Sequence, residues 1–121
     1  MVDNFSKVLK EAEFISECML DKKALNIVII DVHNLTTLTD IFVICTSESQ
    51  PQTKAIADHI SRKMRSKGLR ALHSEGYESL DWVLIDYVNI VIHIFSQESR
   101  DFYDMERLWA DGKIVEIQDI R

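Results

Sequence analysis

Five side chains in the first half of the chain have types that can do chemistry: Asp31, His33, Asp40, Ser47 and Ser49. Two carboxylates near strand ends can hold a divalent ion such as Mg²⁺, and serine with histidine and carboxylate is the material of a hydrolytic or phosphoryl-transfer site. Nothing in the spacing fixes their mutual geometry. Asp40 also has a structural use, since it directly precedes a strand and can accept hydrogen bonds from loop amides. The sequence contains no GxGxxG, GxxxxGK[ST] or GxSxG, and only three glycines in total, so a phosphate cradle built on glycine-rich backbone is disfavoured. His33, His59, His73 and His93 show no HxxxH, HxH or HExxH spacing, which gives no zinc signature. Cys18 and Cys45 lack CxxC spacing and read as buried thiols. The expectation is a chain with no catalytic residues, no cofactor and no metal, a nucleotidyltransferase-like or nucleotide-binding enzyme using Asp31 or Asp40 with Mg²⁺ being the alternative.

Residues suited to recognition are denser than residues suited to catalysis. Trp82, Tyr87, His93, Phe95, Phe102, Tyr103 and Trp109 fall within one short stretch, and large aromatics dominate both cores and interface hot spots. Phe102 and Trp109 are expected in the core. Trp82 opens a strand beside the polar Ser79 and Asp81. Strand alternation puts it on one face with Leu84 and Asp86, and puts Val83, Ile85 and Tyr87 on the other. An exposed Trp82, Leu84 and Asp86 strip would be an apolar patch with one charged member, the kind of surface that marks a partner site or a homodimer interface. The net charge of −6 includes no Lys/Arg-rich run beyond Arg62-Lys63, Arg65 and Lys67. That balance disfavours phosphate-driven binding of nucleic acid and favours a basic protein partner.

These residues must be positioned by a small set of elements. Phe5, Val8, Leu9, Ala12, Ile15 and Met19 recur at helical spacing over residues 4–22, and the runs 24–32 and 41–46 are β-rich with a polar connection between them. Ser49 with Gln52 matches a capping box for a helix over 50–67, with Ala55, Ile56, Ile60 and Met64 as its buried stripe and Gly68 as its terminator. Residues 69–73 suggest a short strand. Runs 82–87 and 90–95 flank Val88-Asn89, the length of a two-residue hairpin connection. Ser96 can cap a helix that ends near Gly112, and 113–117 form a last strand. The order α-β-β-α-β-β-β-α-β predicts one α/β (α+β) domain over residues 1–121, a mixed β-sheet flanked by helices. The longest apolar runs fall well short of the ~20 residues of a membrane span, and the acidic N-terminal stretch does not read as a signal peptide. A cytoplasmic protein with no membrane association is expected.

A resemblance sharpens this reading. Asp31-Val32 with Leu35-Thr36, Thr39 to Ile44, Lys54 to Asp58, Glu75-Gly76, Asp81 to Tyr87, Val91 to Phe95 and Arg100 to Trp109 occur in unbroken order, and together the sequence resembles the ribosomal silencing factor family RsfS, also called Iojap or YbeB. It departs at Val88-Asn89, where a Gly-Asp turn is usual, and at Ser47, where glycine is common. The resemblance implies a fold similar to nucleotidyltransferases without their catalytic Gly-Ser and paired-acid signature. It also implies a non-enzymatic protein that binds the large ribosomal subunit through ribosomal protein L-fourteen, blocks association with the small subunit and lowers translation when nutrients are scarce. By position it points to Trp82, Leu84, Asp86, Tyr87, His93, Arg100 and Tyr103 as partner-binding residues.

Overall fold

The computed structural model describes residues 4–118. Its elements run α1 (Asn4–Asp21), β1 (Leu25–Asp31), β2 (Ile41–Ser47), α2 (Gln50–Ser66), β3 (His73–Glu75), β4 (Trp82–Asp86), β5 (Ile90–Ser96), α3 (Gln97–Tyr103), α4 (Met105–Leu108) and β6 (Lys113–Glu116). The strands form one six-stranded sheet in the order β3-β4-β5-β2-β1-β6. Neighbours pair antiparallel except β2 and β5, which run parallel with Ile41 opposite Ile90 and Ser47 opposite Ser96. The mixed α/β domain expected from the element order is the one observed.

Alternation along the strands divides the sheet into two unequal faces. On one, α1 and α2 cover the sheet: Val8, Ala12, Ile15 and Met19 of α1 and Ile56, Ala57, Ile60 and Met64 of α2 pack on Ile29, Val43, Cys45, Val83, Ile85, Ile92 and Ile94. Ala57 takes the buried place expected for Ala55. Both thiols are free and buried, and burial pushes Cys45 up to about 12 and Cys18 up to about 11, which keeps both thiols protonated at neutral pH. On the other face a smaller cluster of Val28, Ile30, Val32, Phe42, Ile44 and Phe95 meets Met105 of α4, with Trp82, Val91 and Trp109 at its margin.

Local chemistry explains the element ends. Ser49 caps α2 by accepting from the Gln52 amide at 3.1 Å, while the Gln52 side chain accepts from the Glu48 amide and donates to the Lys22 and Lys23 carbonyls. That one glutamine ties the start of α2 to the end of α1. Gly68 ends α2 with φ +82°, and the Leu69 amide reaches back to the Met64 carbonyl at 3.0 Å, a Schellman closure.

Four expectations need correction. The third strand begins at His73 rather than Leu69, because Leu69 and Ala71 drop onto the helix-side core and the ladder starts only where the Leu72 amide reaches the Asp86 carbonyl at 2.7 Å. The helix expected from Ser96 to Gly112 is broken at Asp104, which adopts a left-handed conformation (φ 46°, ψ 56°), one that aspartate tolerates better than most residues. That break turns Phe102 out of the core: its side chain is 78% exposed. Asp40 is not the aspartate that satisfies loop amides; Asp31 is, accepting from the His33 amide at 3.1 Å and pairing with the His33 ring.

Candidate functional site: the uncovered half of the sheet

The short α3–α4 segment covers the β1–β2–β5 part of its face and reaches β4 through Tyr103, which lies over Trp82. Over β4 and the neighbouring part of β5 the face stays open, and there Trp82, Leu84 and Asp86 emerge from β4 half-buried, beside Val91 of β5. Register places Leu84 opposite His93 and Asp86 opposite Val91.

Trp82 is held from three sides. Its indole Nε1 donates to His93 Nδ1 at 2.9 Å, its ring stacks on Phe95 with centroids 5.1 Å apart, and Tyr103 of α3 lies over it at 4.4 Å. Phe102 meets Tyr103 edge-on at 5.1 Å and extends the aromatic surface outward. Phe42 continues the cluster beneath, 5.4 Å from His93 and 5.3 Å from Trp109. Because Nδ1 accepts from the indole, the His93 ring carries its proton on Nε2, and that nitrogen is buried without a partner. Burial pushes His93 down to about 4. The ring is therefore neutral at neutral pH and serves as a rigid post behind Trp82.

The start of β4 is fixed by Gly76, at φ +90°, where a Cβ would lie 1.9 Å from the Trp82 carbonyl oxygen. Its far end is fixed by Asp86, whose Oδ1 accepts from the Val88 amide at 2.7 Å. Val88 itself sits at φ 73°, and the Asn89 amide donates to the Tyr87 carbonyl across it. This is a γ-turn of the kind β-branched residues rarely enter.

Two of the residues indicated by the sequence lie elsewhere. Tyr87 faces the helix-covered side, where it packs against the larger core and hydrogen-bonds with Ser61; burial raises its hydroxyl above the ordinary range. Arg100 is 7% exposed and its donors are used internally. Nε and Nη2 engage the two Glu106 carboxylate oxygens at 3.2 and 3.1 Å, while Nη1 reaches Thr46 Oγ1 at 2.9 Å and the Asn26 carbonyl. Arg100 thus joins α3, α4, the irregular start of β1 and the end of β2. The exposed Phe102 and the half-buried Val91 were not singled out by the sequence as part of this surface. The adjacency of Phe102 and Tyr103 is a signal, since neighbouring helical residues cannot both point at the same sheet.

A family model described as "Ribosomal silencing factor during starvation" matches residues 6–121. The chain belongs to the ribosomal silencing factor family RsfS. Among curated members, the ribosomal silencing factor RsfS of Halalkalibacterium halodurans is 35% identical over 83% of this chain and 86% of its own length. That of Haemophilus influenzae is 33% identical over 81% of this chain and 96% of its own. A crystal structure of a protein from Chromobacterium violaceum superposes with a TM-score of 0.82 at 32% identity, covering 92% of each chain, and one from Bacillus halodurans with 0.77 at 32%, covering 93% of this chain and 99% of that one. RsfS members are named for regulation of the ribosome rather than for catalysis, and association with the ribosome follows for the family in general. Among the described residues no helix is long and apolar enough to cross a membrane.

Proposed function

We propose that this RsfS-family chain is a non-enzymatic cytoplasmic docking protein that binds the large ribosomal subunit through ribosomal protein L-fourteen, blocks joining of the small subunit and so lowers translation during starvation. The observation that carries this reading is the open half-face of the sheet with Trp82 clamped at its centre. A rigid, half-exposed tryptophan flanked by Leu84, Val91, Tyr103 and Phe102 has the composition of an interface hot spot. The surrounding acids, Asp81, Asp86 and Glu98, suit a basic ribosomal protein. His93 supports Trp82 from behind, Arg100 holds the α3–α4 platform, and Tyr87 anchors the far end of β4 from the helix side.

The test is sucrose-gradient sedimentation of purified subunits with added protein. The joined-ribosome peak should shrink as protein is added, and undiminished joining at saturating protein would overturn the proposal. Substitution of Trp82 by alanine should weaken binding to the large subunit by at least ~2 kcal/mol. Leu84→Asp, which leaves the Trp82–His93 bond in place, should weaken it comparably. Repeating the run on the protein alone at several concentrations reads out self-association through the same strip.

A further inference from the structure

On the helix-covered side, well away from the open half-face, three side chains meet, two from α1 and one from α2. Cys18 and Asp21 lie one turn apart at the C-terminal end of α1, on the same side of the helix. His59 of α2 faces them. One ligand atom from each, the thiol sulfur, a carboxylate oxygen and a ring nitrogen, lies within 4.8 Å of the others, and His59 Nε2 already sits 3.0 Å from Asp21 Oδ2. In a tetrahedral zinc site with bonds of about 2.0–2.3 Å, ligand atoms stand about 3.3–3.6 Å apart. Small side-chain rotations would therefore bring the set onto one ion.

We propose that Cys18, Asp21 and His59 form a binding site for a zinc-class divalent cation, with water completing the coordination, that clamps α1 onto α2. The donor set of one thiolate, one imidazole and one carboxylate suits a borderline-soft ion such as Zn²⁺ over Mg²⁺ or Ca²⁺. The partial negative charge at the end of α1 adds to the attraction. Of the charged groups around the thiol, Glu17 favours a cation, while Lys63 and Lys67 oppose it. Lys67 is drawn aside, its ammonium lying 4.1 Å over the Phe14 ring. Asp21 is exposed, which gives the ion an entry path and leaves a position open to solvent. On binding, the ion takes the place of the Cys18 thiol proton, which is released to solvent.

The experiment is titration of the reduced, metal-free full chain with Co²⁺ as a spectroscopic probe, followed by Zn²⁺. The expected result is a single equivalent with a thiolate-to-cobalt charge-transfer band and strong visible bands of four-coordinate cobalt, bleached by Zn²⁺. Cys18→Ala and His59→Ala should abolish the charge-transfer band, exposed Asp21→Asn should weaken Co²⁺ at least tenfold, and Cys45→Ala should leave both unchanged. Zn²⁺ should raise the melting temperature of the wild-type chain and of Cys45→Ala. A wild-type titration without the charge-transfer band overturns the proposal, as does a band that survives His59→Ala or an unchanged affinity in Asp21→Asn. The group of His73, Glu75 and the half-buried Asp86 lacks sulfur, so cobalt held there gives no such band.

Discussion

Replacement of His93 by glutamine should remove a defined part of the acid sensitivity of the fold. The ring is 3% exposed, accepts from Trp82 Nε1, and is held neutral because burial pushes it down to about 4, whereas the unfolded chain has the ordinary value near 6.5. Because the folded value is the lower one, the unfolded chain takes up the proton first. Stability is intact above about pH 6.5 and falls as the pH drops towards 4. Integrated between about pH 7 and about pH 4.5, this single group removes about 2 kcal/mol. Glutamine keeps a neutral acceptor for the indole and does not titrate, so every other titrating group should act alike in the two proteins. Urea unfolding of both at the two pH values gives the double difference. Wild type should lose about 2 kcal/mol more than His93→Gln, and an equal loss would refute the assignment of His93 as a buried neutral ring.

Arg100→Met should lower the unfolding free energy by about 3 kcal/mol in urea, because it leaves Glu106, Thr46 and the Asn26 carbonyl without their cation. Val88→Gly should raise stability by about 0.5–1 kcal/mol in the same assay, since a left-handed conformation costs a β-branched residue more than glycine loses on ordering. Phe102→Ser should change stability by less than about 0.5 kcal/mol, whereas Phe95→Ala should cost about 3–5 kcal/mol. Calorimetric melts of those two variants test whether the aromatic stretch divides between surface and core as described.

Much of this architecture was legible because periodicity and punctuation agreed. The α1 stripe, the Ser49–Gln52 cap, Gly68 as a terminator and the alternation that puts Trp82, Leu84 and Asp86 on one face are all local signals, and all appear in the fold. What failed was decided by distant partners. Arg100, which the resemblance points to by position as a partner residue, is consumed by Glu106, Thr46 and Asn26. Phe102 kept helical spacing with Met105 and Leu108, and only the left-handed Asp104 breaks that register. The site proposed at His59 leaves no trace in the histidine spacing, because its other members come from α1.

The parallel seam between β2 and β5 sets how the chain must fold. β1 with β2, and β4 with β5, are neighbours in sequence and can zip locally as antiparallel pairs. Joining Ile41 to Ile90 instead closes a loop that contains all of α2 and the β3–β4 hairpin. That closure entropy must be met before the central contacts form. The rate-limiting event is therefore expected to be the docking of two preformed halves along their middle. Until it happens, Val43 and Ile92, both fully buried in the finished sheet, belong to exposed strand edges.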